Sequence, residues 1–443
     1  MKPIQYGRFA VDYEYRPYNP DRMRKERVEK AQASLKKHGL GAVVLFDYDY
    51  HRYLGYFSFH QYARRRLGHF VVLVEGEGFP YVPIDHCHGE WEGARMPWFE
   101  GKMVLETAKA NQLMAGFSKY PNYMVDEMDK MAAEIKALLV KHGKLDMPCG
   151  IDIANYNLIE AFKRAGIKIC DGNVAMCDAI ITKTPDEIHC LRMAGVITES
   201  AHWAVCKALR PGMTEFQIAG VAANALYELG AEELEGPSFV VCTGERSGYG
   251  VPNMPTDRIV RPGDLVILDI NGVSFQGYRT CFYRTYCVGD KPTEFQKEVY
   301  KAAYEGLMAL TESIKPGITT EDVQKEWMKR GDFPGGWGRQ PKWPDPGRHF
   351  FGTVAHTIGL RSGDPGPTIP GASGSAGYKF PAVEIVKNMT FAVECGCFTW
   401  LGDRWAKDGV KIEHCGVVND DGFEVFYRFP GRELITCGLP GVY

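Results

Sequence analysis

The sequence lacks the features that mark membrane, secreted and nucleic-acid-binding proteins. No apolar run among its 443 residues approaches the length of a membrane span, and residues 1–20 contain no apolar core of the kind a secretory signal requires. The formal net charge is −3, so the chain has no basic excess for binding nucleic acid. We therefore expect a cytoplasmic protein that binds neither membranes nor nucleic acids.

A CxxC pair is also absent, which argues against a structural zinc knuckle. The chain has 13 cysteines, an odd number scattered along its whole length. Because a disulfide framework is typical of short secreted chains, these cysteines indicate free thiols in a reducing compartment.

The chain is too long for one ordinary core, so two domains are expected, at 1–182 and 183–443. In the first, helical periodicity at 21–38 and 125–142 alternates with short apolar runs such as "GAVVLFD" and "CGIDI". Alternating strands and helices predict an α/β N-terminal domain.

The second domain carries a repeated pattern. It opens on a long predicted helix that Thr184 caps and Pro185 begins. The phrases "LRPGMTE" and "IKPGITTE" then place a Pro-Gly turn and a threonine before two further helices, roughly a hundred residues apart. A single turn of this kind is common, whereas two in the same order predict an internally duplicated α+β domain.

Three acids and one histidine recur beside apolar, strand-like runs: Asp269, Glu394, Glu413 and His356. A carboxylate at the end of an apolar strand is costly to bury unless it is paired or bound to a cation. Each one alone is explained by a salt bridge or a solvated strand end. As an ordered set, they point to a site for a hard metal ion.

With these motifs the chain resembles the pita-bread superfamily of creatinase, aminopeptidase P, prolidase and methionine aminopeptidase. The phrases that carry the resemblance are "KTPDEIHCLRMAG", "RPGDLVILDI", "AHTIGLRSGDPGP", "VKNMTFAVECG" and "VKIEHCGVV". The resemblance covers nearly the whole chain. It implies a pita-bread C-terminal domain with a pseudo-two-fold repeat, and a homodimer with shared active sites acting on a small molecule.

The resemblance also implies five metal ligands, four of which are Asp269, His356, Glu394 and Glu413. Cys281 stands where the family has its second aspartate, in "GYRTCFYRT". The spacing is that of the dimethylsulfoniopropionate lyase branch, whose extra aspartate is replaced here by Asn271. A thiolate suits one soft or borderline ion and an amide offers only a neutral oxygen. We therefore expect one iron or zinc rather than a manganese or cobalt pair. Two alternatives stay open: no metal at all, and Cys281 as a small buried hydrophobe.

The histidine ligand is ambiguous, because "HFFGTVAHTIG" can be aligned with either His349 or His356 at the ligand position. His356 is preferred because "DPGP" follows it. His349, Tyr249 and Asp364 are then candidate catalytic groups, with Asp364 the first choice as base. A turn residue before proline is an equally good interpretation of Asp364.

The resemblance also implies that the segment "YFSFHQYARRRLGHF" contributes to a partner's pocket. Arg64, Arg65 and Arg66 could hold a substrate carboxylate, with Tyr62 beside them. A solvated basic loop is the simpler interpretation for at least two of the arginines.

The family's peptidases place a histidine in the stretch matched by "TGERSGYGVPNMPT", where this chain has none. The expected function is therefore cleavage of a C–S or C–N bond in a small zwitterionic or carboxylate substrate, in the manner of the lyase or creatinase branches. The alternatives are an Xaa-Pro dipeptidase or aminopeptidase P-like metallohydrolase, and a binding protein without catalysis.

Overall fold

The computed structural model describes residues 18–56, 69–83, 94–106, 121–153, 155–232, 239–249, 254–330, 345–350, 353–361, 363–371 and 381–439. They form two compact units, one spanning Asn19–Ile180 and the other running from Ile181 onward together with Tyr18. No helix in these ranges is both long enough and apolar enough to cross a bilayer.

The unit Asn19–Ile180 is a mixed α/β layer. Its helices are α1 (Pro20–Lys37), α2 (Tyr48–Tyr53), α3 (Pro121–Lys141), α4 (Tyr156–Ala165) and α5 (Asn173–Ile180). Its strands are β1 (Ala42–Leu45), β2 (Val71–Val74), β3 (Val82–Pro83), β4 (Met103–Leu105), β5 (Cys149–Ile151) and β6 (Ile169–Asp171). The main sheet has the order β2–β1–β5–β6, in which β1 and β2 are antiparallel and β1, β5 and β6 are parallel.

Local signals explain where these elements begin and what they bury. Asn19 caps α1 by accepting hydrogen bonds from the backbone N–H groups of Asp21 and Arg22, at 3.0 and 3.1 Å. Every residue of β1 and β2 is buried, because apolar side chains cover both faces of these strands. The α/β character predicted for this part of the chain is confirmed.

In its described part, the second unit contains two large sheets, a separate two-stranded ribbon and four helices. The helices are α6 (Pro185–Ala208), α7 (Glu215–Glu228), α8 (Glu294–Ser313) and α9 (Thr320–Lys329). The strands are β7 (Phe239–Thr243), β8 (Asp264–Ile270), β9 (Ser274–Phe275), β10 (Tyr278–Arg279), β11 (Tyr283–Val288), β12 (Gly347–Phe350), β13 (Thr353–Thr357), β14 (Ile369–Pro370), β15 (Thr390–Trp400), β16 (Val410–Val418), β17 (Phe423–Val425) and β18 (Ile435–Cys437). One large sheet has the order β18–β11–β8–β7 and is antiparallel except for the parallel pair β11–β18. The other has the order β14–β13–β15–β16–β17, with β12 also paired to β15, and β9 and β10 form the ribbon.

The predicted duplication is present in the backbone. The two Pro-Gly turns precede α7 and α9, and their glycines take positive φ, +90° at Gly212 and +86° at Gly317. The N–H of Gly212 donates to the carbonyl of Val260 and that of Gly317 to the carbonyl of Ile385, each at 2.9 Å. The equivalent turns therefore hold equivalent helices against their strands.

The two sheets of this unit meet along β11 and β16. The hydroxyl of Thr285 donates to the carbonyl of Lys411 at 2.8 Å, and the guanidinium of Arg284 donates to the carbonyl of Glu413 at 2.6 Å. Arg284 is fully buried and also stacks on the Phe282 ring at 4.1 Å. These contacts fix the register of β16 against β11.

A buried histidine in this unit predicts acid sensitivity. The Nε2–H of His202 on α6 donates to the carbonyl of Phe282 at 3.1 Å, and its Nδ1 accepts from the Tyr286 hydroxyl at 2.8 Å. Burial lowers the pKa of His202 from 6.5 to about 3. As the pH falls, the unfolded chain therefore binds a proton at His202 before the folded chain does. The stability contributed by neutral, buried His202 is fully present above pH 6.5 and is lost as the pH falls toward 3.

The variant His202→Gln is expected to flatten the decline of Tm between pH 6.5 and the folded-state pKa near 3. Scanning calorimetry across that range measures the slope. At about pH 8, His202 is neutral in both the folded and the unfolded chain. The difference in Tm between wild type and variant at this pH therefore measures only the effect of the substitution on packing. An unchanged slope would show that other groups govern acid unfolding.

Candidate metal centre

Five strands or strand ends bring the predicted ligands to the junction of the two sheets. Asp269 lies on β8, His356 on β13, Glu394 on β15 and Glu413 on β16, while Cys281 lies just before β11. Glu394 and Glu413 are directly opposite each other on neighbouring antiparallel strands, so their side chains share one face.

Three of these residues converge closely. One ligand atom from each of Cys281, His356 and Glu413 lies within 4.8 Å of the other two. His356 Nε2 is 4.0 Å from Glu413 Oε1. His356 Nδ1 lies 3.1 Å from the Thr357 carbonyl, which leaves the Nε2 lone pair facing the cluster.

The centre also contains buried oxygen atoms without hydrogen-bond partners. Asp269 and Glu413 are fully buried, yet Asp269 Oδ1 and Glu413 Oε1 have no hydrogen bond, and neither does Asn271 Oδ1. Buried polar atoms are normally satisfied, so unpaired acceptors gathered in one place fit a bound cation. Sulfur, imidazole and carboxylate donors together suit a borderline ion such as zinc or iron.

Burial governs the protonation of these groups. Burial and then the carboxylates of Glu394 and Asp269 raise the pKa of Glu413 well above its usual value. Burial raises the pKa of Asp269 to about 7, although Lys411 opposes the shift. Burial and the nearby Glu413 raise the pKa of the Cys281 thiol. A bound cation would take the place of these protons, so metal uptake should release protons.

Lys411 and Tyr283 belong to the centre but were not predicted. Lys411 Nζ is 2.8 Å from Glu394 Oε2 and lies 3.9 Å from the centroid of the Tyr283 ring. Burial lowers the pKa of Lys411, but Glu394 and the other carboxylates outweigh it and raise the pKa overall. Glu394 therefore faces an ammonium group. Strand alternation could have located Lys411, because it is two residues from Glu413 on β16 and shares its face.

Tyr283 connects the two sheets at this point. It lies opposite Asp269 in the β8–β11 register, and its backbone N–H donates to Glu413 Oε2 at 3.1 Å. Its side chain is buried. It therefore orients one carboxylate of the cluster and forms part of the wall.

Asn271 lies next to Asp269, as the sequence predicted. Its side-chain amide donates a hydrogen bond to Asp269 Oδ2, while its own carbonyl oxygen is among the unpaired acceptors. Asn271 thus holds the Asp269 carboxylate in place and presents one neutral oxygen.

The structure separates the two candidate histidines. His356 lies opposite Ala392 on β15, two residues from Glu394. His349 lies opposite Phe398, farther along the same strand, and its Nε2 hydrogen bonds with the Asp345 carbonyl at 2.9 Å. His356 is therefore the histidine of the cluster, and His349 is not close to it.

The predicted base Asp364 lies beside the strand of His356, since its backbone N–H donates to the Thr357 carbonyl at 2.9 Å. Asp364 is buried in an ion pair, with its Oδ2 3.0 Å from Lys183 Nζ, and it accepts from the Arg361 N–H at 3.2 Å. Its role as a base stays a prediction. Tyr249 ends a short 3₁₀ helix, Gly244–Tyr249, and nothing is described of its side chain. Tyr62, Arg64, Arg65 and Arg66 all lie outside the described residues.

One expectation about local structure is wrong. The carboxylates were expected at the ends of apolar strands, but Glu394 is the fifth residue of the eleven in β15 and Glu413 the fourth of nine in β16. Both strands continue past the acids because antiparallel pairing and buried apolar residues extend on either side.

The chain has an α/β unit and then a duplicated helix-and-sheet unit. Carboxylates and a histidine lie at the junction of the sheets of the second unit. This is the arrangement of a pita-bread metallohydrolase. The sequence profile of metallopeptidase family M24 matches residues 189–420, and the chain belongs to this family. The fold predicted from the sequence is therefore confirmed.

Two similar relatives are named as dipeptidases. The chain is 29% identical to the Xaa-Pro dipeptidase of Lactobacillus helveticus over 55% of its own length and 59% of that protein. It is 27% identical to a probable dipeptidase PepE of Mycobacterium tuberculosis over 58% of its length and 60% of that protein. These matches thus span about 60% of the relatives.

Solved structures show the same fold at low identity. The dipeptidase PepE from Mycobacterium ulcerans superposes with a TM-score of 0.70 at 20% identity, covering 95% of this chain and 100% of that one. The Xaa-Pro dipeptidase from Bacillus anthracis gives 0.70 at 20% identity, covering 93% and 99%.

Proposed function

We propose that the chain is a metal-dependent hydrolase that cleaves a C–N bond in a small substrate bearing a carboxylate, with Xaa-Pro dipeptides the first class to test. The observation that carries this proposal is the convergence of Cys281, His356 and Glu413 within 4.8 Å, beside buried oxygens without partners. The sequence left lyase-like and creatinase-like cleavage open, and the family and the names of the relatives favour hydrolysis over the lyase reaction.

The donor set supports one cation rather than two. Cys281 replaces a carboxylate that could hold two ions together, and Lys411 already supplies a positive charge to Glu394. A single zinc or iron would be held by Cys281, His356 and Glu413, with Asp269 beside them. When bound, it would polarise the scissile carbonyl and lower the pKa of a bound water.

The protein's own groups have separate tasks in this proposal. The imidazole of His356 is held by the Thr357 carbonyl, and the Tyr283 N–H fixes Glu413. Lys411 neutralises the charge of Glu394 at the wall of the centre. We also propose the cytoplasmic homodimer with shared active sites that the sequence resemblance implies.

The test is cobalt(II) titration of the metal-stripped chain, followed spectroscopically and by turnover. We expect one equivalent to bind, with a near-ultraviolet thiolate-to-cobalt charge-transfer band that disappears in Cys281→Ser. Cys415→Ser is the matched control, since this buried cysteine lies near Cys281 and donates to its carbonyl at 2.7 Å. Two equivalents, or a band that persists in Cys281→Ser, would contradict the single-cation site.

Turnover assays distinguish hydrolysis of a C–N bond from the lyase reaction, since Cys281 is compatible with both. A panel of Xaa-Pro dipeptides, other dipeptides, guanidino acids and a sulfonium carboxylate should show hydrolysis of a C–N bond in at least one of the first three. Cleavage of the sulfonium compound alone would favour the lyase, a candidate supported by the replacement of the second aspartate by Cys281.

A further inference from the structure

Two cysteines outside the metal centre face each other. Cys206 lies in the last turns of α6 and Cys437 ends β18, and their Sγ atoms are 3.5 Å apart. They are separated by 231 residues in the sequence. A disulfide brings sulfur atoms to about 2 Å, and these two sulfurs are already in contact.

Both backbones are held in place around this pair. Cys437 lies opposite Val288 in the parallel β11–β18 register, and the Gly289 N–H donates to the Cys437 carbonyl at 2.8 Å. Cys206 is on a 24-residue helix that also packs its His202 against β11. The approach of the two sulfurs is therefore built into the fold rather than a chance contact of loops.

We propose that Cys206 and Cys437 are an oxidation site, at which a hydroperoxide converts the two thiols into a reversible disulfide that ties the C-terminal strand β18 to helix α6. Cys206 is half-buried and Cys437 is buried, so Cys206 is the sulfur that an oxidant reaches. A hydrogen bond with Cys437 and the charge of Lys207 lower the pKa of Cys206, which favours its thiolate.

The chemistry balances with peroxide as the oxidant. The Cys206 thiolate attacks one peroxide oxygen, the O–O bond breaks, and the departing hydroxide takes up a proton to become water. The resulting sulfenic acid is attacked by the Cys437 sulfur; the S–S bond forms, the S–O bond breaks, and the Cys437 proton leaves with the hydroxyl as a second water. The two thiols lose two electrons and the peroxide gains them.

A third cysteine nearby provides a matched control. Cys287 on β11 is buried and its thiol donates to the Asp290 carbonyl at 3.3 Å, which directs it away from the pair. Cys287→Ser retains that donor, so it should leave the disulfide intact.

The crosslink should stabilise the folded chain. β18 is the edge strand beside β11, paired through three residues, so it is weakly held on its own. A disulfide that closes a loop of this length removes much conformational freedom from the unfolded chain. We therefore expect the oxidised protein to unfold several degrees higher than the reduced protein.

The experiment treats the reduced full-length chain with hydrogen peroxide and maps disulfides by mass spectrometry without reduction. We expect a Cys206–Cys437 crosslinked peptide that dithiothreitol removes, that Cys287→Ser retains, and that Cys206→Ser and Cys437→Ser both lack.

The rise in Tm of the oxidised wild type is measured against peroxide-treated Cys206→Ser. This variant cannot form the crosslink but undergoes the same oxidation at its other cysteines. Persistence of both thiols, irreversible oxidation of Cys206 alone, or a Cys437–Cys287 crosslink would overturn the proposal. An oxidised wild type whose Tm equals that of peroxide-treated Cys206→Ser would overturn the stabilising role. Mapping of the wild type stands even if a variant fails to fold.

Discussion

Replacing Glu413 with glutamine is expected to lower the affinity for the cation and kcat/KM by at least about 100-fold each, since even residues behind metal ligands typically cost 10–100-fold. Glu413 is fully buried, faces both Cys281 and His356, and accepts the Tyr283 N–H at 3.1 Å. Glutamine keeps the shape of the side chain and can accept the same hydrogen bond. The loss of cation affinity and of kcat/KM therefore measures the contribution of the negative charge. Cobalt titration and steady-state kinetics with the best substrate of the panel measure the two effects.

The control for this variant is Glu424→Gln, on the neighbouring strand β17. Glu424 is exposed and forms a surface ion pair with Arg192 at 2.7 Å. Its loss should change neither affinity nor turnover, because exposed ion pairs contribute little. Wild-type cobalt binding by Glu413→Gln would remove Glu413 from the ligand set.

The second large effect is expected at the buried ion pair between Lys183 and Asp364. Both side chains are almost completely buried, at 2% and 3% exposure, with 3.0 Å between Nζ and Oδ2. Asp364→Asn leaves the ammonium of Lys183 without this counter-ion inside the protein. We expect a loss of about 3–5 kcal/mol in the free energy of unfolding, measured by chemical denaturation, because removing one partner of a buried ion pair is costly.

A double variant distinguishes this structural role from catalysis. Replacing both partners, Lys183→Met with Asp364→Leu, removes the two charges together and should recover most of the lost stability. We expect this variant to retain activity per folded molecule. A stable but inactive double variant would instead support Asp364 as the general base, the role predicted from its place after "HTIGLRSG".

Several of the long helices could be predicted because their signals are local. Thr184 and Pro185 mark the start of α6, and in the structure Thr184 caps this helix as predicted, in a capping box with Glu187. The two Pro-Gly turns predicted a duplication, and the backbone confirms it at Gly212 and Gly317. Such signals act within a few residues, so they can be recognised in the sequence without information about the rest of the fold.

The candidate site was predictable only in part. The ordered acids and His356 predicted a candidate metal centre because each lies in a distinctive short motif. The sequence did not separate His349 from His356, since the register of β12 and β13 on β15 decides which one faces Glu394. It also missed Tyr283, which contacts Glu413 and Lys411 of the other sheet.

The amino-acid sequence by itself determined the two-part architecture, the duplicated helices and the presence of Cys281 in place of a carboxylate, because these follow from residue identity and local pattern. Only the tertiary structure decided that Lys411 faces Glu394, that Asp364 is paired with Lys183, and that Cys206 lies against Cys437. Electrostatic compensation and sulfur contact act over a few ångströms between residues far apart in the chain. Strand register and sheet packing set those distances, and no local pattern encodes them.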